Sequence, residues 1–102
     1  MKVYEGYRDG LNIKVSVNKH PLNPRWDLHN YSPLGFEWGC GVQGAAQLAL
    51  AILADYLNDD QKAMSLCHLF KWAVIAKLPN WNWRLSDIDL DRALASICNI
   101  IR

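Results

Sequence analysis

From Gly44 to Leu57 the chain offers almost nothing polar: Ala45, Ala46, Leu48, Ala49, Leu50, Ala51, Ile52, Leu53 and Ala54 are interrupted only by Gln47 and Asp55. Good helix formers dominate, and a helix that is apolar around its whole circumference must be covered around its whole circumference. The run falls well short of the roughly 20 apolar residues that a bilayer span needs. It therefore belongs at the centre of a folded domain, where the alanines let neighbouring elements approach closely. Everything else in the chain has to be read as its covering. With 102 residues, 51% of them hydrophobic, there is material for one domain spanning 1–102 with one core.

The covering begins with a hairpin. Val3 to Arg8 is rich in strand formers, Asp9-Gly10 is a turn signal, and Ile13, Val15 and Val17 alternate with Lys14, Ser16 and Asn18. Asn18-Lys19 can turn the chain again into a short strand at 20–22, which Pro21 and Pro24 keep out of the middle of a sheet. Residues 23–40 read as irregular, and their aromatics, Trp26, Tyr31, Phe36 and Trp38, predict a loop packed down onto the core. After the central helix, Asn58 or Asp59 can cap a second helix with apolar positions Ala63, Leu66, Cys67, Phe70, Ala73, Val74 and Leu78, ended by Pro79. Trp81, Trp83 and Leu85 alternate with polar residues as a strand near 81–85 that can join the hairpin. Ser86 and Asp89 resemble a capping box opening a third helix through Leu90, Ala93, Leu94, Ile97, Cys98 and Ile101. The expected fold is α+β: a small antiparallel sheet packed with three helices, the first central and buried.

Several functional classes are argued against by composition. Net charge is +1, which gives no polyelectrolyte signal, so nucleic acid is not expected as a direct ligand. Three cysteines without CxxC spacing suggest neither a disulfide framework nor a zinc finger, and Cys67 beside His68 points about 100° away from it on a helix. No metal, cofactor or membrane association is expected. Met1 runs straight into Lys2-Val3-Tyr4-Glu5-Gly6 and not into an apolar leader, so a cytoplasmic protein is expected.

The segment Ser32-Pro33-Leu34-Gly35-Phe36-Glu37-Trp38-Gly39-Cys40-Gly41-Val42-Gln43-Gly44-Ala45-Ala46-Gln47-Leu48-Ala49-Leu50-Ala51 is the most distinctive in the chain. With Tyr4-Glu5-Gly6-Tyr7 and the stretch from Phe70 to Pro79, it resembles an uncharacterised family of small proteins of bacteria and their phages, catalogued as a domain of unknown function. That family's pattern favours an aromatic at position 40, small residues at 42 and 43, and proline at 45. The resemblance implies no catalytic residues. Its phage association implies a small domain acting by binding a host protein.

Three sets of residues compete as sites. Gly39, Gly41 and Gly44 run into the first helix and could present backbone N–H groups to a phosphate. The P-loop pattern is nevertheless absent, and a purely conformational role is preferred. Glu37 between Phe36 and Trp38 could have a raised pKa, and Cys40, His29 and Asp27 contain the residue types of a catalytic triad. A carboxylate that is on the surface or accepts loop N–H bonds, and a packing cysteine, are the simpler readings, and no catalytic residue is assigned. Asp27, Asp59 and Asp60 fall in a stretch from Trp26 to Asp60 that has no Lys or Arg, and could form an acidic patch. Trp81 and Trp83, beside Arg84, could anchor a protein partner if exposed, although core packing of both rings against the third helix is the preferred reading. These readings combine into an expectation of a non-catalytic interaction protein of phage or mobile-element type, inhibiting a host protein such as a defence-system component. The alternative is a nucleotide- or anion-binding domain using the glycine loop.

Overall fold

The computed structural model describes residues 1–10, 12–40 and 42–100. Its elements run β1 (Val3–Asp9), β2 (Asn12–Val17), β3 (His20–Pro21), α1 (Gln43–Leu57), α2 (Asp60–Ala73), a 3-10 turn (Ile75–Lys77), β4 (Asn82–Ser86) and α3 (Asp87–Ile100). The four strands form one antiparallel sheet in the order β3-β2-β1-β4. This is the expected α+β architecture. The third-helix position Ile101 lies outside the described residues.

The register assigns each side chain to a face. Tyr4 faces Val17 and Leu85 across the neighbouring strands, and Gly6 faces Val15 and Trp83. Tyr4, Val15 and Trp83 belong to the buried core, so this is the face that meets the helices. Alternation puts Glu5, Tyr7, Lys14 and Arg84 on the opposite, solvated face. Gly6 is there because Trp83 lies across it: a Cβ at that position would stand 2.5 Å from the indole. Asn18 and Lys19, both at positive φ (49° and 71°), form the two-residue turn into β3.

α1 is buried along its length from Gly44 to Ala54, as its sequence requires. Asn58 ends it in the left-handed conformation. Asp59 then caps α2 by accepting from Lys62 N–H at 3.1 Å. The partnership of α1 and β1 is polar at the end of α1: Asp55 accepts from Tyr4 Oη at 2.5 Å and from Lys2 Nζ at 2.9 Å. α3 opens with the expected reciprocal cap, since Asp89 Oδ2 accepts from Ser86 N–H at 2.9 Å.

One boundary differs from the sequence reading. α2 stops at Ala73, and Val74 departs from helical geometry well before Pro79. The β-branched pair Val74-Ile75 loses little by leaving the helix. Leaving it seats Ile75 fully in the core and aims its carbonyl at Gly39 N–H, 3.0 Å away.

The long loop is held by a residue the sequence reading passed over. Gln47, completely buried on α1, accepts at Oε1 from Tyr31 N–H (2.7 Å) and Ser32 N–H (3.2 Å). Its Nε2 donates to the carbonyls of Pro24 (2.7 Å) and His29 (3.1 Å). All four hydrogen-bonding positions of the amide are used.

Truncating Leu50 or Leu53 to Ala should cost about 2–5 kcal/mol, measured as a lowered denaturant midpoint at unchanged slope. Gln47→Leu keeps the apolar volume but strands two loop N–H groups and two carbonyls. It should cost about 2–4 kcal/mol, and the loop amides of Tyr31 and Ser32 should exchange hydrogen faster than the rest of the core.

Candidate functional site

The aromatic-glycine segment meets the N-terminal strand and the end of the β4 approach in one cluster. Arg8, on the helix-facing side of β1, lays its guanidinium over the Trp38 ring, 4.6 Å from the centroid. The same group donates to the Glu37 carboxylate and, through Nε, to the Asn80 carbonyl at 2.6 Å. Trp38 Nε1 donates to that carbonyl too, at 3.2 Å, and the Trp38 ring meets Trp83 edge-on at 5.6 Å. Arg8 N–H reaches the Trp81 carbonyl at 3.2 Å, so β1 is paired right up to the tryptophan. A shallow groove runs over this cluster, with Val42, Cys40 and Trp81 among its walls.

The two tryptophans differ in burial. Trp83 is 7% exposed and stacks in the core over Gly6, so the exposure on which its partner-binding role depends is not met, in keeping with the preferred reading of core packing. Alternation put both rings on one face, but only Trp83 lies within β4. Trp81 precedes the strand and stands 73% exposed at the rim of the groove.

Glu37 accepts a loop N–H, in line with the simpler of its two readings. Burial among aromatics would push its carboxyl up, but the Arg8 guanidinium and the Trp38 N–H, 3.0 Å from Oε1, hold it below the ordinary glutamate value. It is a paired carboxylate and not a raised general acid.

The glycines have been given internal work. Gly39 spends its N–H on Ile75. At Gly44 a Cβ would stand 2.6 Å from the Cβ of Glu37, so glycine lets the loop pack directly on the start of α1. Gly41 lies outside the described residues. Of the two described glycines of that reading, Gly39 has its N–H paired within the fold and Gly44 has a packing reason to be glycine.

The acidic residues are brought together with a cation between them. Arg25 makes paired contacts to Asp27 (both 3.1 Å) and to Asp60 (3.1 and 2.9 Å), and Asp59 caps α2 immediately before Asp60. Hydrogen bonding to Arg25 holds the Asp27 carboxyl below its usual range. Arg25 precedes the Lys- and Arg-free stretch by one position, and its left-handed φ of 60° turns it back over those carboxylates. The patch is thus a partly neutralised ion-pair network.

The residue types of a cysteine triad have different neighbours. Cys40 Sγ contacts the Trp38 carbonyl at 3.8 Å, while His29 stacks on Tyr31 with centroids 4.1 Å apart. Asp27 belongs to Arg25. No group of three metal-ligating side chains is assembled among the described residues, and no helix among them is long and apolar enough to cross a membrane.

Comparison with known proteins adds one match. The profile of a family of unknown function, DUF6166, covers residues 4–96. The chain belongs to this family. No curated protein and no solved structure matches it. The stretch shared with DUF6166 takes in Arg8, Glu37, Trp38, Gly44, Gln47, Trp81 and Trp83, and so includes the whole cluster above.

The Arg8–Glu37 pair sets a pH dependence. A carboxyl with a depressed folded-state pKa contributes stability in full above its unfolded value, about 4.3, and loses it as pH falls through the folded value. Glu37→Gln should therefore flatten the acid limb of the stability profile below about pH 4.3, measured by urea unfolding across that range. Equal acid limbs in the two proteins would show that the pair contributes nothing.

Proposed function

We propose that this chain is a non-catalytic interaction protein whose partner is anchored at Trp81. The observation that carries this reading is an indole 73% exposed at the rim of a groove whose other walls are held rigid by Arg8, Glu37 and Trp38. A large aromatic left in water on a fixed support loses little conformational freedom on binding, which is why such residues dominate interface energetics. Its neighbour Val42 is also exposed and adds apolar area to the same wall. The partner in this reading is a host protein, and the chain acts as a phage or mobile-element inhibitor of a defence-system component of the anti-CRISPR kind. The reading takes that assignment from the phage association of the family resemblance, and the groove supplies the contact surface.

The test is quantitative capture of host-lysate proteins on immobilised chain, identified by mass spectrometry, with wild type and Trp81→Ala side by side. The variant should unfold within about 0.5 kcal/mol of wild type, as an exposed site allows. It should also lose the captured protein through faster dissociation, because a buried aromatic anchor acts on complex lifetime. Equal capture and equal dissociation rates would remove Trp81 from the interface.

A further inference from the structure

The sheet edge far from Trp81 is incomplete. β3 is outermost there but consists of His20–Pro21 alone. Past it the chain adds one more bond, Leu22 N–H to the Val15 carbonyl at 3.1 Å. That bond fixes the direction in which Val15 turns its backbone groups. By the two-residue period of a strand, Ile13 turns its N–H and C=O the same way, off the sheet. Neither group has a partner among the described residues.

A cleft of about 660 Å³ lies along β2 at this open position. Its walls differ in chemistry on the two sides of the strand. Ile13, Val15, Leu22 and Phe36 line the side toward the helices, and Lys14 and Lys19 line the solvated side. Glu5 also reaches the cleft, but Lys19 holds it at 2.9 Å. Lys14 has no carboxylate within ion-pair distance among the described residues.

We propose that this edge receives an extended segment of a partner protein, added to the sheet beside β2. Its side chains alternate between apolar residues facing Ile13, Leu22 and Phe36 and acidic residues facing Lys14 and Lys19. In strand addition the backbone supplies hydrogen bonds and the alternating side-chain sites supply specificity. Here the open backbone groups, the apolar wall and the unpaired lysine lie in one place. The residue opposite Ile13 shares its face, so the apolar positions of the incoming strand donate and accept the new backbone bonds. A second copy pairing through its own β2 about Ile13 would set Lys14 opposite Asn12 and bring no carboxylate to it. The inference is independent of Trp81, and the two sites stand or fall separately.

The probes are three acetylated and amidated hexapeptides titrated into the ¹⁵N-labelled full chain. They are alternating Asp-Val, alternating Lys-Val, and the acidic peptide with N-methylated valines. The acidic peptide should saturate shifts at the amides of Ile13, Lys14 and Val15. The Lys-Val and N-methyl peptides should bind at least about tenfold more weakly, because one opposes the lysines and the other lacks the donors. Lys14→Glu, an exposed substitution checked for fold by circular dichroism, should reverse the charge preference. Any of three outcomes overturns the proposal: no shift at these amides with millimolar acidic peptide, equal binding of the Lys-Val or N-methyl peptide, or light scattering that traces the shifts to self-association of the chain.

Discussion

The arrangement depends on one buried amide. α1 is coated with alanine and leucine on every side, a surface with no means of telling one covering segment from another. Gln47 supplies that discrimination. Its four hydrogen bonds fix Pro24, His29, Tyr31 and Ser32 against the helix. A segment without regular structure can lie on a core only where its backbone groups are satisfied, and here the helix satisfies them. The loop so fixed delivers Arg25 to its carboxylates at one end and Glu37 and Trp38 to Arg8 at the other.

The second organising contact joins that loop to the sheet. Arg8 is sandwiched between the Trp38 face and the Asn80 carbonyl while it neutralises Glu37. Its partners come from two other parts of the chain, the 37–38 loop and Asn80, so strand, loop and β4 approach are locked in a single cluster. Trp81 can remain exposed there because the backbone beneath it is tied down through Arg8.

Much of the fold was legible because local rules and global packing agree. The alternation of Ile13, Val15 and Val17, the Ser86–Asp89 cap and the all-apolar α1 each have a periodicity or a spacing that only one structure satisfies. The candidate site was less legible, because its contacts are long-range. Nothing local to Glu37 announces that Arg8 will lie beside it, so its aromatic neighbours left a raised pKa open where pairing lowers it. The Trp81–Trp83 pair misled for a different reason. Alternation predicts faces only inside a strand, and β4 begins one residue after Trp81. Gln47 was read as an interruption of a hydrophobic run, although a lone amide in such a run signals a buried polar partner.

The order of strands has a consequence for how the chain is made. β1 sits inside the sheet, with β2 from the next few residues on one side and β4 from the far end of the chain on the other. Ribosomes deliver about 5–20 residues per second, so β1 waits several seconds with one edge open before Trp83 can settle over Gly6. During that interval α1 is already available, and its apolar surface lacks the sheet's complete face. The nascent chain therefore passes through a stage with both an unpaired strand edge and an uncovered helix, the two features that invite aggregation. Closure of the fold is tied to the arrival of its last strand.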